Sequence, residues 1–466
     1  MNTKHCAALI ALSFGLLSCR PREPSLGQRA AELSGAEFSK SAAAPSAGAS
    51  APKAPGSTTK KADEEPSGEQ EQQKQVNAML GRVAQIRGLP IRKKIPLRIL
   101  DRPAMLARIR HQVQEDLPAD VLRHQGILMR AMGFVPPDYD YVAGTYRLIQ
   151  GQIAGFYMPN DGMMYLAEDL SEAEADETLA HELVHALQDQ SFGLAPLIKY
   201  VPGDGDRISA IHAMVEGDAT SAMLDISVGS AFAVSESALA RLLSVSTALS
   251  ETGADTPRMI RESLTLPYAD GFRFVQALRR RGGFAAVDAA YGAAPQTTEQ
   301  LMHIEKYLAK EPALSVGVAP PESLGEGFRA VFDDVMGEQG MKLALEEWVF
   351  RDLAKEAAAG WGGDRMTLYL KQDPKEADKS IYAVVWRIRM DSDADAKELS
   401  EVLKAKMPKG CIERAKVGPL AYKAHGREAV IVAGPHEETP SGQVKESGGC
   451  EQTRIWAAAI LKRHSS

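Results

Sequence analysis

Cysteine and histidine are both scarce in this chain, at four and ten among 466 residues. No cysteine lies between Cys19 and Cys411, which argues against a cysteine-ligated structural metal site in the body of the chain. Basic charge is not in excess either. The formal net charge is −7, which removes the electrostatic case for nucleic acid as a partner. From Arg20 to about Gln73 large apolar residues are nearly absent, so that stretch cannot bury enough surface to offset its ordering entropy. No internal repeat is evident. What remains is ordinary for a globular protein, with 44% hydrophobic and 25% charged residues. The length allows two or three domains and a sizeable core.

The chain opens MNTKHCAALIALSFGLLSC, which has the form of an export signal. Lys4 supplies the positive end. The apolar run from Ala7 to Leu17 is too short to span a membrane comfortably as a mature helix. Its end, Leu16-Leu17-Ser18-Cys19, resembles a bacterial lipobox, and the resemblance implies cleavage before Cys19 and lipidation of its thiol. A plain secretory signal with an incidental cysteine is the alternative. On the first reading residues 1–19 carry the signal and the lipidated cysteine. Residues 20–73 are then an Ala/Ser/Pro-rich tether, and a lipid anchor holds the protein to the bacterial cell envelope, at the outer membrane or cell surface. Export would place Cys411 and Cys450 in an oxidising compartment, where a disulfide between them is expected over two separate thiols.

Beyond the tether, order is expected from residue 74. PLRIL, from Pro96 to Leu100, reads as a strand, with helices around Ala104 to Glu115 and Ala119 to Met132. Two β-rich runs, Gln152 to Met158 and Met163 to Ala167, flank the turn formers Pro159-Asn160-Asp161-Gly162 and predict a hairpin. Ser171 and Glu174 make a capping box that opens a long helix through about Gln190. A second long helix is expected from about Arg207 to Val228, and more helices to about Leu353. At Gly360-Trp361-Gly362-Gly363-Asp364 the texture changes. MTLYLK, SIYAVVWRIRM and REAVIVAG read as strands, and DADAKELSEVLKAK as an amphipathic helix. The expected fold is α+β: a mostly helical domain over 74–356 with a small sheet beside one long helix, then a small α+β unit over 357–466.

The stretch TLAHELVHAL, Thr178 to Leu187, sits in that first long helix. Positions i and i+4 share a helix face, so His181 and His185 can present ring nitrogens to one point. That arrangement suits a tetrahedral zinc ion. Glu182 follows the first histidine and would act as general base toward a water acidified by the metal. Leu183, Val184 and Leu187 carry no charge, so the helix can be buried beside the metal. The alternative is two satisfied histidines on a buried helix.

A catalytic zinc usually takes three protein ligands. Two candidates follow on the next long helix, His212 and Glu216. Glu216, 31 positions after His185, is the preferred ligand, because Gly217 leaves room for close packing and Ala213, Ala219 and Ala222 suit a tight helix crossing. Asp189 and Asp218 are candidates to hold the metal-binding histidines from behind. Tyr157, His303 and Tyr307 are candidates to stabilise an oxyanion, His303 foremost.

HELVHALQDQSF followed by VEGDA resembles the HELxHALQDQ…EGxA pattern of uncharacterised bacterial HExxH metallopeptidases of the gluzincin class. AGFYMP, LPYADGFRFV, PQTTEQLMHIEKY and GWGGDR are similar to the same group, and together these stretches span Gly151 to Arg365. Two departures stand out. Thr220 occupies the place four residues after the ligand glutamate where thermolysin-type enzymes carry aspartate. Ile304 stands where the group usually has proline. The resemblance implies a zincin-like catalytic domain, zinc as cofactor, and His181, His185 and Glu216 as its ligands. It also implies that an extended peptide or protein substrate pairs with a strand edge of the Gly151 to Ala167 hairpin.

The function expected from all this is a zinc-dependent peptidase, an endopeptidase in first preference, on the bacterial envelope. The competing expectation is a non-catalytic envelope lipoprotein whose zinc joins two helices and whose C-terminal unit binds a partner. No partner protein is identifiable from the residues.

Overall fold

The computed structural model describes residues 16–19, 68–250, 252–372, 380–414, 416–438, 444–446 and 448–462. Of the stretches expected as signal (1–19) and tether (20–73), residues 1–15 and 20–67 lie outside the described residues, and residues 68–73 are not unstructured as expected but open a helix that runs to Arg87. The architecture is α+β with helices predominant, built around two sheets. No helix among the described residues is long and apolar enough to cross a membrane.

The smaller sheet has the order β1-β3-β4-β2. Its strands are β1 (Leu16–Cys19), β2 (Leu97–Leu100), β3 (Ile153–Met158) and β4 (Met163–Ala167). β3 and β4 form an antiparallel hairpin across Pro159 to Gly162. Gly162 takes φ +62°, the left-handed conformation glycine adopts at no steric cost, and its N–H closes the turn onto the carbonyl of Met158 over 2.8 Å. β2 runs parallel to β4 and covers that side. On the other side β1 pairs antiparallel with β3, Leu16 opposite Tyr157 and Cys19 opposite Ile153.

Four helices lead into the hairpin: α1 (Gly68–Arg87), α2 (Arg102–Asp116), α3 (Val121–Met132) and α4 (Tyr141–Gln152). After it comes α5 (Glu172–Phe192), which carries the histidine pair. Ser171 opens α5 through a reciprocal capping box with Glu174, two orphan N–H groups being satisfied at once. Every residue from Glu177 to Gln188 is buried. A helix buried on all sides must be enclosed by other elements. Here β3, β1, α1 and the next long helix surround it.

That next helix is α6 (Gly205–Val228), followed by α7 (Glu236–Leu249) and α8 (Arg258–Gly292). α6 and α8 run side by side at unusually close range. A Cβ on Gly271 would stand 1.7 Å from the carbonyl oxygen of Ala213, and one on Gly217 would stand 2.1 Å from the carbonyl of Gly271. Only glycine permits that approach. Two short helices, α9 (Thr298–Met302) and α10 (Ile304–Ala309), follow.

The larger sheet has seven strands: β5 (Arg329–Asp334), β6 (Trp361–Gln372), β7 (Ser380–Met390), β8 (Cys411–Ile412), β9 (Leu420–His425), β10 (Glu428–Glu438) and β11 (Val444–Glu446). β5 precedes the expected division at residue 357 yet pairs with β6 beyond it. Helices α11 (Gly337–Leu345), α12 (Arg351–Ala359), α13 (Asp393–Lys406) and α14 (Cys450–Lys462) complete the unit. Side chains alternate across a strand. Val384, Trp386 and Ile388 of β7 therefore face α3, α12 and α13, while Ala383 and Val385 face Trp456 and Ile460 of α14. Cys411 and Cys450 are disulfide-bonded, with Cα atoms 6.0 Å apart, and tie β8 to the start of α14.

The GWGGDR stretch is a packed strand start. Asp364 is buried and accepts from both tryptophan indoles, Trp361 Nε1 at 2.9 Å and Trp386 Nε1 at 2.8 Å, and from the N–H groups of Met336 and Gly337. Gly363 lies so close to Leu314 that a Cβ would stand 2.0 Å from its carbonyl oxygen.

Candidate metal centre

α5 sets its two histidines one turn apart on the face turned to α6, and α6 brings Glu216 to meet them. His181 Nε2 stands 3.0 Å from His185 Nε2 and 3.1 Å from Glu216 Oε2. His185 Nε2 lies 3.5 Å from the same oxygen. Donor atoms bound tetrahedrally to one zinc at ~2.0–2.1 Å stand about 3.3 Å from each other. The three separations bracket that value, and two neutral imidazoles with one carboxylate are a donor set that zinc takes readily. The residues present therefore fit the ion.

Burial of the cluster is nearly complete, with exposures of 2% for His181 and 0% for His185, Glu182 and Glu216. Burial alone would push the Glu216 carboxyl up. The imidazoles of His185, His181 and His212 around it outweigh burial and hold it well below the usual carboxylate range. The site thus keeps an anion where a cation would bind. Glu182 does not join the three donors. Its Oε2 accepts the backbone N–H of Tyr157 in β3 at 2.8 Å.

His212, the other candidate ligand, places Nε2 3.2 Å from Glu216 Oε1 without hydrogen-bond alignment, and it does not converge with the group formed by His181, His185 and Glu216. One further acidic group occurs among the described residues, Glu299 with Glu311 and Asp391. Lys306 Nζ already sits among them, 2.6 Å from Glu299 and from Asp391, so a cation already occupies that place.

The residues expected to support the site divide. Asp189 does not touch a ligand. It accepts the Tyr157 phenol at 3.0 Å and the Leu194 N–H at 2.9 Å, closing the end of α5. Asp218 does not touch one directly either. Between it and His185 stands Gln188, whose Oε1 lies 2.7 Å from His185 Nδ1. Tyr157 and Tyr307 both donate their phenols elsewhere, the second to the carbonyl of Ala293 at 3.0 Å. His303 Nε2 lies 2.9 Å from Glu338 Oε1, and that hydrogen bond raises its pKa despite partial burial.

Two residues of the site escaped the sequence reading. Gln188 lies in plain view within HALQDQ, but an amide signals no chemistry by itself. Tyr268 lies within LPYADGF on α8, and its ring centroid stands 6.0 Å from that of His181. Only the packing of α8 against the cluster reveals it.

Residues 326–442 match the family model described as "Domain of unknown function (DUF8575)". The match takes in the larger sheet from β5 to β10 and excludes the three-donor cluster. No curated protein and no solved structure matches the chain.

Proposed function

We propose that this protein is a zinc-dependent peptidase, working inside peptide chains at the bacterial envelope. The observation that carries the reading is Glu182. A carboxylate set directly beside a three-donor metal cluster, and left out of it, is what a general base requires. A purely structural zinc has no use for one and prefers four protein ligands.

His181, His185 and Glu216 would hold the ion. Zinc bound there supplies a Lewis acid that polarises a carbonyl and acidifies water. Glu182 accepts the proton of the attacking water and returns it to the leaving amine. The Tyr157 N–H fixes the carboxylate for that exchange, so no reorientation is needed as charge develops. The β3 edge takes the substrate as an added antiparallel strand. Support for this comes from the chain itself, whose Leu16–Cys19 pairs on that edge. With a lipobox at the same residues, cleavage before Cys19 would clear the edge at Phe156 and Tyr157 in the anchored protein. Tyr268 would supply a phenol toward the oxyanion.

One observation favours a second reading. The cluster's near-complete burial suits a zinc that only clamps α5 to α6. The chain from residue 20, loaded with zinc, should cleave an unbiased peptide library, and Glu182→Gln at equal zinc occupancy should not. Cut positions inside chains would establish an endopeptidase. Zinc binding without cleavage by either protein would favour the structural reading, and equal cleavage by both would remove Glu182 from the mechanism.

A further inference from the structure

The face of His185 turned away from the metal-binding point is held by a buried polar chain. His185 Nδ1 lies 2.7 Å from Gln188 Oε1. The amide of Gln188 has one orientation that satisfies its surroundings. Its Nε2 faces two acceptors, the Val215 carbonyl at 3.1 Å and Asp218 Oδ2 at 2.9 Å. The nitrogen must point there, so the oxygen must point at His185. An amide oxygen only accepts. The proton of neutral His185 therefore sits on Nδ1, and the lone pair is on Nε2, where the metal donors converge.

Asp218 is fixed in its turn. Arg87 donates to it twice, Nε to Oδ1 at 2.7 Å and Nη2 to Oδ2 at 3.0 Å. The Tyr291 phenol donates to Oδ2 at 2.9 Å. Arg87 also reaches Asp288 Oδ1 at 2.6 Å and stacks over Phe284, 4.5 Å from the ring centroid. Arg87, Gln188 and Asp218 are all at 0% exposure. Every group facing Asp218 is a donor, so it stays an acceptor and the direction of the chain cannot reverse. α1 brings Arg87, α6 brings Asp218 and α8 brings Tyr291, so three helices outside the motif converge on one imidazole.

We propose that Gln188 is a positioning residue that fixes His185 as its Nδ1–H tautomer, and that Asp218, clamped by Arg87 and Tyr291, fixes Gln188. The proposal rests on the metal-centre reading above for its purpose, but its central claim concerns the protein without metal. Partners of this kind typically alter metal affinity by about 10–100-fold.

The test uses the chain from residue 20, its histidines labelled with nitrogen-15. Long-range proton–nitrogen spectra of the zinc-free protein report which ring nitrogen of His185 carries the proton, and chelator competition gives the zinc Kd. Wild type should show His185, in its neutral form, with the proton on Nδ1. Gln188→Met keeps the shape and removes the acceptor. It should give a mixture of tautomers and raise the zinc Kd by about 10-fold or more. Arg87→Met, acting from another helix, should move both readouts the same way by less. A purely structural role would lower Tm and leave tautomer and Kd in place. A folded Gln188→Met with His185 still wholly Nδ1–H and a Kd within about twofold of wild type would overturn the proposal. Should wild type bind no zinc, the peptidase reading fails, while the tautomer spectra still decide the relay.

Discussion

The backbone N–H of Tyr157 donates to the Glu182 carboxylate at 2.8 Å, and the phenol of the same residue donates to Asp189 at 3.0 Å. One residue of β3 thus ties the strand to the motif helix at two levels, one on each side of His185. The first tie holds Glu182, the proposed general base. The second sets the angle at which the strand edge meets the helix. Tyr157→Phe removes only the second. A hydrogen bond to a charged group contributes roughly 1.5–3 kcal/mol. Denaturant unfolding should show a loss near the lower end of that range, since Asp189 is only partly buried. Zinc affinity should stay as in wild type. A loss of zinc binding in this variant would mean that the strand also positions the ligands.

The crossing of α6 and α8 predicts a sharper effect. Gly271→Ala places a methyl group 1.7 Å from the Ala213 carbonyl oxygen, and the obstacle is backbone on a buried helix. Overpacking of this kind typically costs about 1–3 kcal/mol, occasionally more. Because Glu216 lies one turn along α6 from Ala213, the helices must separate at the metal centre. Both Tm and zinc affinity should fall. If Tm falls alone, the crossing serves the core and not the site.

That crossing marks where the sequence stopped being informative. The convergence of His181, His185 and Glu216 was legible, because i and i+4 on one helix and a glutamate on the next are local patterns. Small residues around Glu216 announced a close approach, though not that its partner would be Gly271. The hairpin was legible from four turn formers between two β-rich runs. Arg87 was not, since its bonds to Asp218 span 131 positions and nothing local distinguishes it from a surface arginine. Tyr268 was missed for the same reason. β5 was missed because half of Arg329–Asp334 is charged and it does not read as a strand until β6 pairs with it.

The disulfide closes a loop that takes in β8 to β11. Its loss, in Cys411→Ser with Cys450→Ser, should destabilise the C-terminal unit by about 2–4 kcal/mol. His181, His185 and Glu216 lie in the other half of the chain, so affinity for added zinc should be unchanged. A non-reducing peptide map of the wild type checks the bond itself.

Stability should also depend on pH through buried carboxyls between the two halves. Asp206, at the start of α6, accepts from the N–H of Thr298 at 3.0 Å and from its hydroxyl at 2.5 Å, and burial pushes its pKa up to about 8. Burial likewise pushes Asp334 up to about 7. The folded state therefore keeps protons that the unfolded chain releases near pH 4. The linkage sign follows: these groups lower stability as pH rises from about 4 to about 8, by at most about 1.4 kcal/mol per pH unit for each proton. Asp206→Asn cannot ionise. Urea unfolding should show the variant gaining on wild type steadily between pH 5 and 8. A constant difference across that range would place the Asp206 pKa near its ordinary value.

The proposed oxyanion contact has two candidates of different standing. His303 was the choice from sequence, but its Nε2 is engaged by Glu338 on α11. Tyr268 has its ring beside His181, on the helix that packs directly against α6. A donor matters here only if it reaches the oxygen that becomes negative, since its benefit must be larger in the transition state than in the bound substrate. Tyr268→Phe removes one hydroxyl and little volume. It should lower kcat about 10²–10³-fold, the usual effect of losing an oxyanion donor, with zinc affinity unchanged. His303→Ala should keep normal turnover at equal zinc occupancy. The opposite pattern, full turnover in Tyr268→Phe and loss in His303→Ala, would return the role to His303 and require the α9–α10 segment to move toward the metal when substrate binds.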